Sequence, residues 1–433
     1  MNIGIIVTSR VKSSRLLNKV VQKINNKYTI EILLDNLLKD DTYPVIMAIP
    51  ESSDDDILQE ISERKGVDVY RGYDDSPLHR LYYCAKEYGF DHVVRVTHDD
   101  ILIDMTLLKN QIRMHTNGNH DYSYMKKCLE GCGAEVIRTR CLGEVVEKVK
   151  GRPVEFVSYY LRNKCKTFEY YPPYEYQFPY RCTIDYPEDL TLMRILFAIL
   201  PPAHRGTLDI IHTLGKYPYL TQINRLPTVT VYTSCYNHEK YIVDCFDSVI
   251  NQTYKDFEFI IYDDHSTDHT AEVIMDWFSV LSFEDQAKVK IIRNPTNMGL
   301  PATCNKALTM ARGKQIIRVD SDDILEPQAL ESMVEEMKMS GVQGVVSDHM
   351  MFDESGDLGV EPATFEHAGC SMLSTWAVNE VKFRDGLEYL EGEDFFKRFK
   401  KIYKTSIISD VLWKYRQHEE QKSLKIDHPH NKE

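Results

Sequence analysis

Residues 316–325 read I-I-R-V-D-S-D-D-I-L: an apolar run, a polar cluster from Asp320 to Asp323, and a return to apolar residues. That pattern predicts a buried strand ending at a sheet edge, with carboxylates at its carboxyl end, where open α/β sheets bind ligands. Carboxylates spaced D-x-D, here Asp320 and Asp322, suit a hard divalent cation with oxygen ligands, and such a cation can hold a diphosphate. The same residues also read as a strand followed by an acidic helix cap, because acidic side chains favour helix starts. The surrounding sequence decides between the two.

Upstream, Phe257 to Tyr262 reads as another strand and runs into D-D-H-S-T-D at 263–268. Val229 to Thr233, Val289 to Arg293 and Lys314 to Val319 are further strands, with a helix around Ala302 to Met310. Tyr241, Ile242, Cys245, Phe246, Val249 and Ile250 fall on one face of a helix. Two acidic edges on one sheet, Asp263/Asp264 and Asp320/Asp322, point to a nucleotide site. The first half follows the same plan. Ile3 to Val7, Val45 to Ile49 and Val93 to Val96 are short buried strands. Ile30, Leu33, Leu34, Leu37 and Leu38 make one face of a helix between the first two, and the resulting βαβ unit implies a parallel sheet. Pro201-Pro202 opens a short connection, and Leu226-Pro227 marks the boundary. The expected architecture is α/β: two tandem Rossmann-like α/β/α domains, 1–225 and 226–433.

Composition narrows the class. A length of 433 residues fits two to three domains. With 43% hydrophobic and 27% charged residues, the chain reads as soluble and globular. A formal net charge of -14 leaves no basic excess for a nucleic-acid partner. The ten cysteines show no C-x-x-C pair; Cys128 and Cys132 are closest, and no second pair completes a zinc site. Reduced thiols in a cytoplasmic enzyme are expected. The start, M-N-I-G-I-I-V, reads as a strand rather than a signal peptide. The longest apolar run, Leu190 to Leu200, carries Arg194 and is too short to span a membrane. The polar tail after Ser423 is expected to be mobile.

The loop after the first strand, Ser9-Arg10-Val11-Lys12-Ser13-Ser14-Arg15-Leu16-Leu17-Asn18-Lys19, concentrates cations and hydroxyls where a triphosphate would need them. A solvated basic loop has the same composition. This loop resembles the A-R-x-G-S-x-R-L-P-x-K signature of the cytidylyltransferases that activate acidic sugars, and is nearest their spore-coat-polysaccharide branch. Arg10, Ser13, Arg15, Leu16 and Lys19 match; Lys12 stands for the family's glycine and Leu17 for its proline. Tyr70 to Asp75 with Leu78 to Lys86, Arg95 to Asp100, Thr183 to Leu190, and Thr207 to Arg225 are similar to further segments of that family. His98 and Ile101 depart from its glycine and proline. The resemblance, over roughly residues 1 to 225, implies CTP as substrate and a nucleotide site at Arg10, Ser13, Arg15 and Lys19. It implies Mg²⁺ on Asp99 and Asp185, with Arg15 and Lys19 stabilising the pyrophosphate leaving group.

The second half is similar to family 2 glycosyltransferases of the GT-A fold. T-V-T-V-Y-T-S-C-Y-N, the D-D-H-S-T-D segment, N-M-G-L and V-D-S-D-D carry the likeness, over about 227 to 420. By that resemblance Thr233, Asp263, Asp264 and Asp320 lie around the nucleotide, and Asp320 and Asp322 form the metal-binding D-x-D for Mg²⁺ or Mn²⁺. Gly392-Glu393-Asp394-Phe395-Phe396 matches the E-D motif, with Asp394 as catalytic base and Glu393 in reserve. Those two acids also suit an ordinary helix start. Tyr415-Arg416-Gln417-His418 matches a Y-R-x-H element near the diphosphate, giving Arg416 and His418. His367 to Ser371 would contact acceptor or donor.

The expected function is a bifunctional enzyme. One half activates a sugar or sugar phosphate with CTP, and the other is an inverting glycosyltransferase acting on a glycan or protein acceptor. Because D-x-D clamps a diphosphate, the donor should be a nucleoside-diphosphate sugar, CDP-linked if the first half supplies it. A first half serving only as an inactive scaffold is the alternative, and a homo-oligomer is compatible with either.

Overall fold

The computed structural model describes all residues except 14, 150, 152, 153, 155, 156, 163, 365–368, 385, 386, 388–390 and 419–433. Ser14, His367, Ala368 and the tail beyond Ser423 therefore lie outside the described residues. The chain divides into two compact units, Met1–Arg225 and Leu226–Glu433.

In the first unit, Ile3–Thr8 and Val45–Ile49 are buried at every position. Continuous burial is what a parallel strand covered on both faces requires. Among the described residues the sheet has seven strands, in the order Asp68–Arg71, Val45–Ile49, Ile3–Thr8, His92–Thr97, Glu135–Arg138, Tyr122–Met125, Thr167–Tyr170. Its first four strands are parallel; Glu135–Arg138 then pairs antiparallel with His92–Thr97. Successive side chains of Ile3–Thr8 point to opposite faces. Accordingly Ile5 and Val7 join one core with Leu33, Leu34 and Val96, and Ile6 joins another with Leu78, Leu81 and Ile137. The Thr29–Leu37 helix supplies Ile30, Leu33, Leu34 and Leu37 to the first core, all fully buried. Each such side chain contributes roughly 1.5–3 kcal/mol relative to exposure.

Cysteine usage differs from the sequence expectation. Cys141, on the Thr139–Val149 helix, and Cys165, beyond the Val157–Arg162 helix, form a disulfide across 24 residues, with Cα atoms 6.5 Å apart. Their separation in sequence hid a pairing that the packing of two helices creates. The other eight cysteines are free thiols, as expected.

The second unit is built on a nine-stranded mixed sheet, counted over the described residues. Val289–Arg293, Phe257–Asp263, Val229–Cys235 and Gln315–Arg318 run parallel, in that order. Met372–Ser374 pairs antiparallel with Gln315–Arg318. Gly344–Asp353 follows, then Thr405–Arg416 beside it in parallel, then Ile324–Leu325. Gly313 is required where it stands, since a Cβ there would lie 2.3 Å from the Thr230 backbone nitrogen. No helix among the described residues is long and apolar enough to cross a membrane.

Asp320 to Asp323 is not a helix cap. The Asp323 amide donates to the Asp320 carbonyl at 3.0 Å, closing a turn between the Gln315–Arg318 and Ile324–Leu325 strands. The next helix starts only at Ala329. The four acidic-edge residues therefore belong to a strand end, and the long Thr405–Arg416 strand, paired with Ile324–Leu325, brings the end of the described chain beside them.

Candidate active sites

The first site forms where the Ile3–Thr8 and His92–Thr97 strands end. A one-turn 3₁₀ helix, Lys19–Val21, closes the basic loop, entered through Asn18 in a left-handed conformation. Thr29 fixes this turn by donating its hydroxyl to the carbonyls of Lys19 and Val20, each at 2.8 Å. Lys19 is thereby aimed inward. Its Nζ lies 2.9 Å from Asp99 Oδ2 and 2.9 Å from Asp185 Oδ1. Arg15 reaches Asp185 Oδ1 at 2.7 Å, and Arg181 reaches Asp185 Oδ2 at 3.0 Å. The two carboxylates come from distant loops that are tied together: the Ile184 amide donates to the Asp99 carbonyl at 3.1 Å. Asp189 anchors the second loop, accepting from the amides of Asp185 and Tyr186 at 2.9 Å each, and from Arg181. Arg10 and Ser13 sit half-buried in the same loop, and Lys12 turns away to Asp54 on the surface.

Burial alone would lower the Lys19 ammonium; the charges of Asp99 and Asp185 outweigh it and hold Lys19 above the ordinary lysine value. Burial opposes ionisation of Asp99 and Asp185 as well, and Lys19 overcomes it, keeping both below the usual carboxylate range. His98 is pushed down to about 4 by burial and by Lys19. Its Nδ1 lies 3.3 Å from the Thr8 carbonyl. Three polar atoms at this strand edge, Ser9 Oγ, His98 Nε2 and Asp99 Oδ1, are buried without a partner. Such atoms are costly unless something binds them.

Seven of the expected residues lie at the strand ends of the second sheet. Asp320 is held by Arg318, with Nε 2.7 Å from Oδ1 and a terminal nitrogen 3.0 Å from Oδ2. Asp322 Oδ2 lies 3.0 Å from His418 Nε2. Burial works against its charge, but the hydrogen bond from His418 and the nearby His238 hold its carboxyl below the ordinary value. Arg416 donates to the Asp322 carbonyl at 2.9 Å and to Asp244 at 2.8 Å. One strand over, Asp263 Oδ1 accepts from the Ser266 amide at 2.8 Å and Oδ2 faces Arg293 at 3.1 Å. Asp264 has a structural duty. It accepts from Asn294 at 2.7 Å and from the amides of Met298 and Gly299 at 2.9 Å each, folding the N-M-G-L turn, where Gly299 has φ +79°. Thr233 is buried, with its hydroxyl 4.0 Å from Cys245 Sγ.

The acidic helix Glu391–Phe399 brings its acids to different cations. Asp394 accepts from Arg384 at 2.9 Å and from Arg398 at 2.7 Å. Glu393 pairs with Lys397 one turn along. Glu391, which the E-D motif does not include, is the acid of this helix that meets Arg318, with its Oε1 3.5 Å away. Arg181, Arg318, Glu391 and His238 were all missed from sequence. His238 meets Ser321 at 2.6 Å. Arg181 and Arg318 each stand within a few residues of an aspartate that was picked out, which is the one signal that could have found them.

Among the described residues, no three His, Cys, Asp or Glu side chains are arranged around a common metal position. The donor chemistry nonetheless fits a divalent cation: Asp99 Oδ1 is buried and unpartnered beside Asp185, and Asp322 meets His418, whose Nδ1 is also buried without a partner.

Comparison with known proteins gives each half a family. Residues 4–199 match the family described as Cytidylyltransferase, and residues 230–419 match Glycosyl transferase family 2. The chain belongs to both families. An uncharacterized protein of Methanocaldococcus jannaschii is 30% identical over 225 residues, 51% of this chain and 93% of its own length. An uncharacterized glycosyltransferase of the same organism is 31% identical over 209 residues, 44% of this chain and 71% of its own. The hyaluronan synthase of Pasteurella multocida is 39% identical over 139 residues, 30% of this chain, and the chain spans only 14% of that synthase. The first site thus lies in the cytidylyltransferase half and the second in the glycosyltransferase half.

Proposed function

We propose that the chain is a two-site transferase. Its cytidylyltransferase half passes a cytidylyl group from CTP to a sugar or sugar phosphate. Its glycosyltransferase half moves a sugar from a nucleoside-diphosphate donor to a glycan or protein acceptor, inverting the anomeric centre. The observation that carries this reading is the repeated design of the two strand edges. Each places paired aspartates beside guanidinium or ammonium groups, with buried polar atoms left for a ligand. Likeness to a hyaluronan synthase supports a polysaccharide product.

In the first half, Asp99 and Asp185 would hold Mg²⁺ or Mn²⁺, and in the second Asp320 and Asp322 would do so. A divalent cation in such a place offsets the negative charge on phosphate oxygens. Arg10, Arg15 and Lys19 bind the triphosphate, and Arg15 and Lys19 stabilise charge on departing pyrophosphate as an oxygen of the substrate bonds to the α-phosphorus. In the second half, the acceptor hydroxyl attacks the anomeric carbon, the bond to the diphosphate breaks, and a carboxylate takes the proton. Asp394 is assigned as that base, with Glu393 in reserve and Glu391 orienting Arg318. Arg416 and His418 steady the diphosphate end of the site. A cytoplasmic location is part of this reading.

Thermal melting with CTP, CDP and UDP, each with Mg²⁺, tests both sites on wild type, Asp99→Ala and Asp322→Ala. A ligand at 100 times its Kd adds ~2.7 kcal/mol to the state that binds it. CTP stabilisation should vanish only in Asp99→Ala, and diphosphate stabilisation only in Asp322→Ala. A wild-type protein that CTP never stabilises would make the first half an inactive scaffold.

A further inference from the structure

A divalent cation bound by Asp99 and Asp185, as proposed above, must compete with a side chain of the protein itself. The partner these two carboxylates share in the structure is Lys19, at 2.9 Å from an oxygen of each. The Lys19 side chain is 7% exposed, and its turn is pinned by Thr29. Asp185 is further occupied by Arg15 and Arg181. Of the two, only Asp99 keeps an oxygen, Oδ1, buried and unpartnered. Lys19, Arg15 and Arg181 face Asp99, Asp185 and Asp189, three cations against three carboxylates, with Glu130 a more exposed fourth carboxylate on Arg181.

A free divalent cation reaching Asp99 and Asp185 meets carboxylates already matched by Lys19, Arg15 and Arg181. To be held by both carboxylates it would have to displace a cation from Asp185, both of whose oxygens are taken, and driving Lys19 off would leave its ammonium buried without a counter-ion, which is strongly unfavourable. A triphosphate reverses both effects. It offers Lys19 and Arg15 new anionic partners, and Lys19 sits on a flexible four-carbon stem that lets it follow them. The carboxylates are then released from Lys19 and Arg15, with only Arg181 still on Asp185, and are open to the cation.

Resting on that assignment of the two aspartates, we propose that Lys19 is an internal counter-ion that closes Asp99 and Asp185 to a free divalent cation, so that metal and nucleoside triphosphate enter together. Metal and nucleotide affinities are then coupled through one ammonium, and the coupling is reciprocal. Lys19 is a positioning residue for the metal as well as a contact for the phosphates.

The test titrates full-length protein carrying Asp322→Ala, which disables the second acidic edge, with Mn²⁺. Free Mn²⁺ is read by its electron paramagnetic resonance signal and the melting temperature is followed in parallel. In the absence of nucleotide, adding Lys19→Met should tighten Mn²⁺ binding at least tenfold, and Mn²⁺ should restore the melting temperature that this substitution lowers. Lys19→Arg, which keeps the charge, should stay closed. Equal Mn²⁺ affinity with lysine or methionine at position 19 overturns the proposal. Should Lys19→Met fail to fold, the Lys19 protein alone decides: stabilisation by Mn²⁺ and CTP together but not by Mn²⁺ alone is expected, and stabilisation by Mn²⁺ alone overturns the idea. If Mn²⁺ and CTP together leave the melting temperature unmoved, the nucleotide site itself has been misread and the proposal falls with it.

Discussion

Glu391 and Asp394 stand one helical turn apart and meet different cations, which separates their roles. Both oxygens of Asp394 accept from guanidinium groups, so it can take a proton from an acceptor only after one of them withdraws. Arg384 is the one able to leave: its side chain is 63% exposed, and an exposed pair of this kind is worth only ~0–1 kcal/mol. Glu391 instead touches Arg318, which grips Asp320, so on the proposed function it acts on donor binding through a chain of two contacts. Asp394→Asn should therefore cut the turnover rate by roughly 10²-fold or more, the usual worth of a general base, with donor affinity unchanged. Glu391→Gln should weaken donor binding and spare turnover at saturation. Steady-state kinetics with separate donor titrations reads both; the reverse split would move the base to Glu391. At this scale the sequence names the acidic cluster, because E-D before an apolar run is a local signal. It puts Asp394 before Glu393 by resemblance and passes over Glu391, since Arg318 comes from a distant strand and only the fold brings it near, whereas Arg398 is the i+4 neighbour of Asp394 on the same helix.

Strands carry the next level. The buried parallel strands were legible in outline because both-face burial writes a continuous apolar run, as in Ile3–Thr8 and Phe257–Asp263. The Thr405–Arg416 strand was not. It reads T-S-I-I-S-D-V-L-W-K-Y-R, is part exposed along most of its length, and pairs with Gly344–Asp353 through two irregularities that break its alternation. Its partner lies far upstream in the chain, so no local pattern announces it, yet it delivers Arg416 and leads to His418. Pairing between strands also sets a buried salt link of the first sheet. Arg95 and Glu135 face each other in register on neighbouring antiparallel strands, 2.5 Å apart, with Ser158 and Tyr122 donating to the same carboxylate. Burial opposes the Glu135 charge, and Arg95 outweighs it, so the folded value lies below the ordinary one. Arg95→Met leaves that carboxylate buried and unpaired and should cost ~3–5 kcal/mol in denaturant unfolding. The sign in acid is set by the depressed value. The contribution is fully present above the unfolded value near ~4.3 and is lost as pH falls through the folded one. Glu135→Gln should accordingly flatten the stability profile below about pH 4. A loss under ~1 kcal/mol in Arg95→Met would mean the pair is solvated in practice.

At the scale of the whole chain, the proposed function links the two halves by phosphate chemistry. A cytidylyl group placed on a bare sugar hydroxyl yields a CMP-linked product with one phosphate; placed on a sugar phosphate it yields a CDP-linked product with two. On the proposed reading the second site takes two. Asp320 and Asp322 stand at a strand end with Arg318, Arg416 and His418 around them, which suits a diphosphate bridged by a cation better than a single phosphodiester. If the first half supplies the second, its substrate is then a sugar phosphate. Calorimetry on the full chain carrying Asp99→Ala, with CDP, CMP and UDP in the presence of Mn²⁺, should show CDP binding at least tenfold tighter than CMP. Adding Asp322→Ala should remove the difference, because one phosphate fewer then forfeits nothing. UDP binding well above CDP would instead mean that the halves use different nucleotides and serve one glycan from separate donor pools. Following the α-phosphorus of labelled CTP in the unmodified protein decides the hand-over directly. Label passing first into a sugar-linked diphosphate and then, on addition of acceptor, into free CDP is the expected course; label ending in CMP would show that the second half accepts a single-phosphate donor after all.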